Sequence, residues 1–219
     1  MSGLITLDNV TKFYSVRGCR KLVLDNVTIS MPFGKSVGIL GRNGAGKSTT
    51  LMLIGKVLRP SKGRVGWAPG ILMSWPMGPA GLIGTLNVRE NIQIISRIYG
   101  RDWRELYERV ERFADIGSDI ELPVASYSSG VRSRFNLALS IAMDFDCYLC
   151  DEMMAFGDAQ FRARAEAEIT KIQQHSTFVI ISHRMKTIEK FCQCVYVLDN
   201  KKFEYYDDVW EGIKRYESL

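Results

Sequence analysis

The glycine-rich stretch at residues 41–48 constrains this chain more than any other segment, because it reads Gly-Arg-Asn-Gly-Ala-Gly-Lys-Ser. Residues 36–40 before it are short and apolar, as in a buried strand. After it, Leu51, Ile54 and Leu58 recur at helical spacing. The sequence therefore predicts a strand, a loop and a helix in that order, and in this setting such a glycine spacing is typical of phosphate-binding loops. The alternative is a chance match within a glycine-rich turn.

The residue types of this loop fit an anion bound beside a metal ion. Gly41, Gly44 and Gly46 lack a Cβ, so the backbone can curl and direct several N–H groups to one point. The positive end of the following helix faces the same point. Lys47 adds a full charge for the β- and γ-phosphates, and Ser48 offers a hydroxyl to Mg²⁺, which prefers oxygen ligands. The predicted nucleotide contacts of this segment are Gly41, Arg42, Asn43, Gly44, Ala45, Gly46, Lys47, Ser48 and Thr49.

The composition is that of an ordinary globular protein of 219 residues, with 46% hydrophobic and 24% charged residues. The net charge of +5 comes from scattered Lys and Arg, which favours a solvated surface over a nucleic-acid site. The chain contains no apolar run of membrane-spanning length and begins without a secretory signal, so we expect it in the cytosol. Five cysteines indicate free thiols, and Cys147 and Cys150 face opposite sides of a predicted strand rather than one metal.

The order of predicted elements indicates an α/β fold with an inserted helical lobe. Residues 4–10 and 23–31 predict two strands of an N-terminal antiparallel β portion, with a polar, basic loop between them. Residues 68–84 are rich in Pro and Gly and predict an irregular segment. We expect a single domain, with a core at about 1–86 and 144–219 and a helical lobe at about 87–143. The Tyr-rich tail predicts a surface helix.

Two apolar segments downstream of the loop end in polar residues. The first, residues 147–150, ends in Asp151 and Glu152, and the second, residues 177–181, is followed by Ser182 and His183. Ligands of open α/β sheets bind at the carboxyl edge of the strands. Asp151 therefore fits a Mg²⁺-linked role, Glu152 a general base, and His183 a contact to the γ-phosphate or its attacking water. The alternatives are two surface acids and a structural histidine.

These segments, taken in order, resemble the nucleotide-binding subunits of ATP-binding cassette (ABC) transporters. The matching motifs cover nearly the whole chain and lie at residues 41–48, 127–131, 147–152, 156–158 and 182–183. The resemblance implies a phosphate-loop NTPase core of the ABC type, ATP hydrolysis, and ATP and Mg²⁺ as cofactors. The family's commoner signature reads Ser-Gly-Gly where this chain has Ser-Ser-Gly.

The resemblance also implies roles for residues outside the phosphate loop. Tyr14 matches the aromatic residue that stacks on adenine. Ser128, Ser129 and Gly130 match the signature that closes on ATP bound to the loop of a second copy, so that two subunits pair head to tail.

Three further positions match those of the family, and one departs from it. Asp158 matches the dimer-contact aspartate, and Asp151, Glu152 and His183 match the metal-linked, catalytic and switch positions. A Gln that touches Mg²⁺ and the membrane partner is usual in the family, and Ile83 stands near that position here. We expect this chain to couple its nucleotide site to the membrane partner through backbone groups or water in place of the Gln amide.

A narrower resemblance links the chain to the ATPase subunits of bacterial capsular polysaccharide exporters. It is carried by Ser-Trp-Pro at 74–76, Arg-Glu-Asn at 89–91, Arg-Ser-Arg at 132–134 and Phe-Asp at 145–146. It implies a separate membrane-spanning permease subunit, a second copy of the chain, lipid-linked polysaccharide as the transported substrate, and a peripheral location on the cytoplasmic side of the inner membrane. We expect no nucleic-acid partner. The alternatives are a subunit that exports another glycan such as O-antigen or teichoic acid, a soluble non-transport ABC ATPase, and a small-molecule kinase.

Overall fold

A computed structural model describes residues 3–16, 18–75, 82–151 and 158–219. The chain divides into two compact units. The first unit comprises residues 1–76, 146–153 and 173–219, and the second comprises residues 77–145 and 154–172. In chain order the regular elements are β1 (Ile5–Val16), β2 (Cys19–Met31), β3 (Val37–Leu40), α1 (Lys47–Ile54), β4 (Lys62–Trp67), α2 (Val88–Tyr99), α3 (Trp103–Ala114), α4 (Ser129–Ala142), β5 (Cys147–Asp151), α5 (Ala159–Ile172), β6 (Thr177–Ile181), α6 (Met185–Phe191), β7 (Cys194–Asp199), β8 (Lys202–Tyr206) and α7 (Val209–Glu217).

The first unit contains two sheets. An antiparallel sheet has the strand order β2-β1-β4, and a five-stranded sheet has the order β5-β6-β3-β7-β8. The strands of the second sheet are parallel except for the antiparallel edge strand β8. All four residues of β3 and all five of β6 are buried, as expected for central parallel strands covered on both faces. The expected α/β fold with an N-terminal antiparallel portion is confirmed.

The β1–β2 hairpin extends further than the sequence predicts. The expected basic loop before Val23 is wrong, because Phe13 pairs with Leu22 and Tyr14 pairs with Lys21 within the ladder. The hairpin end exposes most of its side chains to solvent, so hydrophobic alternation, the signal on which the strand prediction relied, is weak there. As a consequence, Lys21 occupies a fixed position in a strand.

The C-terminal tail forms the predicted surface helix, but the helix begins at Val209 and not at Tyr205, because Tyr205 and Tyr206 belong to the strand β8. β8 pairs with β7, and Tyr196 of β7 lies edge-on to Phe203 of β8 with ring centroids 5.9 Å apart. The helix α7 then begins at an N-cap, Asp208, whose carboxylate accepts a hydrogen bond from the N–H of Trp210. The buried side chain of Ile213 anchors this helix.

The second unit is helical, as the sequence predicts for residues 87–143. Asn87 and Glu90 form a capping box at the start of α2, and Asp102 caps α3. The unit also contains α5, which the sequence analysis placed with the core. The reason lies in Phe161 of α5, which is buried and packs edge-on against Phe113 of α3 at 5.6 Å between ring centroids.

Candidate nucleotide-binding site

The loop between β3 and α1 has a backbone that requires glycine. Gly46 lies at the N-cap of α1 with φ 115°, and a Cβ there would come within 2.6 Å of a methyl carbon of Val23. At Gly41 a Cβ would lie 2.6 Å from the carbonyl oxygen of Leu198. No side chain caps the N-terminus of α1, and its first turn contains no acidic residue. The first N–H groups of this helix therefore remain available to an anion.

Lys47 is held inside this loop. The residue is only 8% exposed, and its Nζ donates to the carbonyl oxygens of Gly41 at 2.6 Å and Arg42 at 3.0 Å. The loop thus fixes the ammonium group before any ligand arrives. Pre-organisation of this kind reduces the entropy that is lost when a phosphate binds.

A cavity of about 510 Å³ opens beside the loop, within the size range of small-ligand sites. It lies in the first unit, and its lining residues are Tyr14, Lys21, Val23, Asn43, Gly44, Gly46, Lys47, Ser48, Thr49, Asp151, Ile181 and His183. Most of the residues predicted to contact nucleotide therefore surround one cavity, together with Tyr14, Asp151 and His183. Gly41, Arg42 and Ala45 contribute through the loop backbone instead, and the N–H of Ala45 donates to the carbonyl oxygen of Arg42 at 3.1 Å.

Tyr14 is oriented by contacts on two sides. Its hydroxyl lies 3.3 Å from the Oγ1 of Thr49 in α1, and the Nζ of Lys12 lies 5.2 Å from its ring centroid. Lys12 is held in turn, because its Nζ donates to the carbonyl oxygen of Arg59 at 2.8 Å. Tyr14 lines the cavity and Lys12 is not among the lining residues. An aromatic ring at such a position is able to stack on a planar ligand.

Asp151 and His183 reach the cavity because of the parallel register. Asp151 at the end of β5 is paired with Ile181 at the end of β6, and Ile181 is paired with Ile39 of β3. The strand β5 is further fixed by the buried Ser74, whose Oγ accepts from the N–H of Leu149 at 2.8 Å. The predicted base Glu152 lies outside the described residues.

The oxygen ligands at this edge suit Mg²⁺ bound together with phosphate. Within the described residues no three His, Cys, Asp or Glu side chains converge as a metal cluster. Mg²⁺ is usually held by one or two protein oxygens together with substrate phosphates and water. Ser48 and Asp151 line the same cavity and supply one hydroxyl and one carboxylate, so they fit such a site.

The remaining predicted site residues belong to the second unit. Ser128 is the N-cap of α4, and its Oγ accepts from the N–H of Val131 at 3.3 Å. Ser128 and Ser129 are exposed, while Gly130 is partly buried. The preceding Tyr127 is buried, and its hydroxyl donates to the carbonyl oxygen of Asp119 at 2.7 Å.

Asp158 caps α5 and forms an ion pair. Its carboxylate accepts from the N–H of Phe161 at 2.8 Å and from the Nη2 of Arg134 at 2.6 Å. The Phe161 hydrogen bond, aided by the positive charge of Arg134, lowers the pKa of this carboxyl group. Arg134 also lies over the Phe161 ring, with its guanidinium carbon 5.3 Å from the centroid.

The two cysteines of the C-x-x-C pair are core residues, as predicted. Cys147 and Cys150 are fully buried, and burial raises the pKa of the Cys147 thiol to about 12. Burial likewise raises the pKa of Cys150 well above its usual range. Such thiols stay protonated at neutral pH and are poor metal ligands.

Sequence reasoning missed Lys21 as a site residue. It was assigned to a loop, whereas the structure places it in β2 at the wall of the cavity. A possible signal was the short turn around Gly18, which favours a hairpin and hence cross-strand pairing near Tyr14.

Comparison with known proteins agrees with this geometry. The sequence profile described as ABC transporter matches residues 24–155, which is more than half of the chain. The chain belongs to the ABC transporter family. Its activity is ATP hydrolysis, and no helix within the described ranges is long and apolar enough to cross a membrane.

Two curated relatives align with this ABC protein over nearly their full length. The polysialic acid transport ATP-binding protein KpsT of Escherichia coli is 38% identical and is covered over 96% of its length by 98% of this chain. The capsule polysaccharide export ATP-binding protein CtrD of Neisseria meningitidis serogroup B is 34% identical, with 99% of this chain and 100% of the relative covered.

Solved structures share the fold at lower sequence identity. An ATP-binding subunit of an ABC transporter superposes with a TM-score of 0.81 at 20% identity. The superposition covers 99% of this chain and 94% of that subunit. The cassette MJ0796, solved as a dimer in a post-hydrolysis state with ADP and Pi, superposes with a TM-score of 0.76 at 21% identity, covering 91% and 96%.

Proposed function

We propose that this chain is the ATP-hydrolysing subunit of an exporter that moves capsular polysaccharide across the bacterial inner membrane. The observation that carries the proposal is the alignment with capsule-export ATP-binding proteins across almost the entire chain. The polysaccharide is a lipid-linked substrate of a separate membrane-spanning subunit. The ATPase binds that subunit from the cytoplasmic side of the membrane.

The chemistry is assigned to the cavity beside the phosphate loop. Lys47 and the N–H groups at the start of α1 bind the phosphates, and Tyr14 stacks on adenine. Ser48 and Asp151 would hold Mg²⁺, which would offset part of the negative charge of the triphosphate. His183 lines the cavity, and we assign to its imidazole the contact to the γ-phosphate or the attacking water. Glu152 is assigned the role of general base.

A second copy of the chain completes each site. Ser128, Ser129 and Gly130 close on the ATP of the partner copy, and Asp158 contributes to the dimer contact. The exposure of Ser128 and Ser129 supports this assignment, because a binding surface for a partner must be accessible in the single subunit. The dimeric cassettes that share this fold give further support.

The link to the membrane subunit is assigned to the segment around Ile83. Ile83 is 43% exposed, and its N–H donates to the Oδ1 of Asn91 at 2.7 Å. The Nδ2 of Asn91 donates back to the carbonyl oxygen of Ile83 at 3.1 Å. This clamp supports coupling through a fixed backbone instead of a Gln amide. If Ile83→Gln greatly raised transporter-coupled ATP turnover, coupling in the natural chain would be impaired by the lack of a Gln side chain. That result would contradict this assignment.

Relatives that export other glycans define the second candidate substrate. An O-antigen export ATP-binding protein of Klebsiella pneumoniae is 31% identical, but this chain covers only 78% of its length. The better coverage of the capsule-export relatives favours capsular polysaccharide. A small-molecule kinase needs neither a signature segment nor a second subunit, so ATP-dependent dimerisation separates that class from an exporter.

The decisive experiment combines dimerisation with transport. Glu152→Gln is expected to form an ATP-dependent dimer in size-exclusion chromatography, whereas Glu152→Gln combined with Lys47→Ala remains monomeric. The wild-type chain is then expressed in a capsule-producing strain that lacks its own export ATPase. Restored surface polysaccharide supports the proposal. The proposal is contradicted if Glu152→Gln stays monomeric in the presence of ATP. It is also contradicted if the chain fails to restore capsule but restores O-antigen in a matched strain that lacks its O-antigen export ATPase.

A further inference from the structure

Lys21 lines the cavity next to Tyr14. It is the cross-strand partner of Tyr14 in the β1–β2 ladder, and both residues line the cavity with the phosphate loop. Directly opposed residues of an antiparallel pair have their Cβ atoms about 4.5–5.5 Å apart. A base stacked on the Tyr14 ring therefore lies within reach of the Lys21 side chain.

The Lys21 ammonium is not committed to the fold. Its residue is exposed, and within the described ranges no hydrogen bond or ion pair holds its Nζ. Lys12 differs in this respect, because its Nζ is tied to the carbonyl oxygen of Arg59 and lies outside the cavity lining. Lys21 is thus a free cation beside the stacking surface.

The chemistry of an ammonium group decides which base it favours. Lysine has three donors and no acceptor. Guanine presents two adjacent acceptors, O6 and N7, along one edge, whereas adenine presents N7 next to the N6 amino donor. An ammonium placed at that edge is attracted by both acceptors of guanine and opposed by the amino group of adenine.

We propose that Lys21 is a specificity-determining residue that contacts the purine base and shifts the preference of the site toward guanine. The proposal rests on the proposed nucleotide site at the phosphate loop. The phosphate-binding residues are common to ATP and GTP, so Lys21 acts only on the difference between the two bases.

The test compares the two nucleotides in the same variants. Calorimetric titration of the purified full-length chain uses the Mg²⁺ complexes of the β,γ-imido analogues of ATP and GTP. Ribose and triphosphate are identical in the two ligands, so the ratio of their affinities isolates the base contact. Lys21→Ala is expected to weaken binding of the GTP analogue at least about fivefold more than binding of the ATP analogue. Lys21→Gln is expected to shift the ratio further toward ATP, because an amide pairs with N6 and N7 of adenine.

Arg20→Ala is the matched control. Arg20 neighbours Lys21 on β2, but its guanidinium lies over the Phe13 ring at 4.8 Å and it is absent from the cavity lining. Removing this charge is expected to leave the ratio unchanged. Equal weakening of both analogues in Lys21→Ala, or no weakening, overturns the proposal. Unchanged binding of both analogues in Lys47→Ala instead overturns the phosphate-loop site itself, so the two failures are distinguishable.

Discussion

Two turns of this chain lead into a helix and have a glycine at or just after the turn, yet they are built in opposite ways. The phosphate loop ends at Gly46, which caps α1 without a side chain and has a left-handed backbone. The turn before α4 ends at Ser128, whose hydroxyl satisfies an N–H group of its own helix. The first turn leaves its helix terminus open to a ligand, whereas the second closes it.

The difference bears on which half of the proposed ATP site is formed in advance. Lys47 is buried among loop carbonyls, so the loop fixes its ammonium group within a single subunit. Ser128 and Ser129 are exposed, as the proposed contact with a partner copy requires. We expect mutations in the first turn to affect binding in the isolated chain, and mutations in the second to affect the dimer.

The largest expected effect comes from removing the buried ammonium of Lys47. Lys47→Ala is expected to weaken ATP binding at least about 100-fold and to abolish hydrolysis, because charged hydrogen bonds to phosphate are lost. Isothermal titration of the purified chain measures the affinity. Lys186→Ala, which removes an exposed lysine of α6, is the control and is expected to bind ATP normally. If Lys47→Ala kept its affinity for ATP, the expectation that the first turn controls binding in the isolated chain would be wrong.

The glycines of the two turns are expected to respond in opposite directions. Gly46→Ala places a Cβ against Val23 and forces a left-handed residue, which costs about 1–2 kcal/mol before the clash is counted. Gly130 has no such backbone, and a Cβ there meets only the Oγ of Ser128 at 3.9 Å.

Thermal unfolding with and without ATP checks this contrast. Gly46→Ala is expected to melt several degrees lower and to lose the stabilisation by ATP. Gly130→Ala is expected to melt at or slightly above the wild-type temperature, and its defect is expected only in the ATPase rate of the assembled transporter. An equal loss of stability in both variants would show that the two turns do not differ.

A serine near the start of each helix gives a smaller effect. Ser128→Ala removes the N-cap of α4 and is expected to cost about 1 kcal/mol of unfolding free energy. The hydroxyl of Ser48 in α1 forms no hydrogen bond within the described part of the chain, so Ser48→Ala is expected to leave stability unchanged and to raise the Mg²⁺ concentration that hydrolysis requires. Denaturant unfolding and a Mg²⁺ titration of the ATPase rate separate the two outcomes. A stability loss in Ser48→Ala would contradict this division of roles.

The sequence predicted the phosphate loop well because its glycines and Lys47 are adjacent in the chain. Their geometry depends mainly on local backbone conformation and on the strand before it, so a short motif carries most of the information. The edge residues Asp151 and His183 were also predicted, since parallel strands bring their carboxyl ends together.

Lys21 was missed for the opposite reason. Its place in the cavity depends on a cross-strand pair with Tyr14, and the solvent-exposed hairpin carries little hydrophobic alternation to reveal that pair. The place of α5 depends on long-range packing, of which Phe161 on Phe113 is one contact. Such tertiary contacts leave no periodic trace in the sequence.

The smallest expected effect concerns the Asp158–Arg134 pair, and it tests whether the second unit is held by charge. The lowered pKa of Asp158 means that its contribution to stability is present above its ordinary pKa of 3.8 and is lost as the pH falls through the folded-state value. Asp158 is exposed and Arg134 only partly buried, so Asp158→Asn is expected to lower the melting temperature by at most about 2–4 °C at pH 7. This difference from the wild type is expected to vanish as the pH falls well below 3.8, because both chains are then uncharged at residue 158. The variant Lys171→Ala, which breaks the exposed pair with Glu168 on α5, is the control for a general charge effect. A difference that persists at low pH would assign the role of Asp158 to shape and capping, with charge contributing little to this unit.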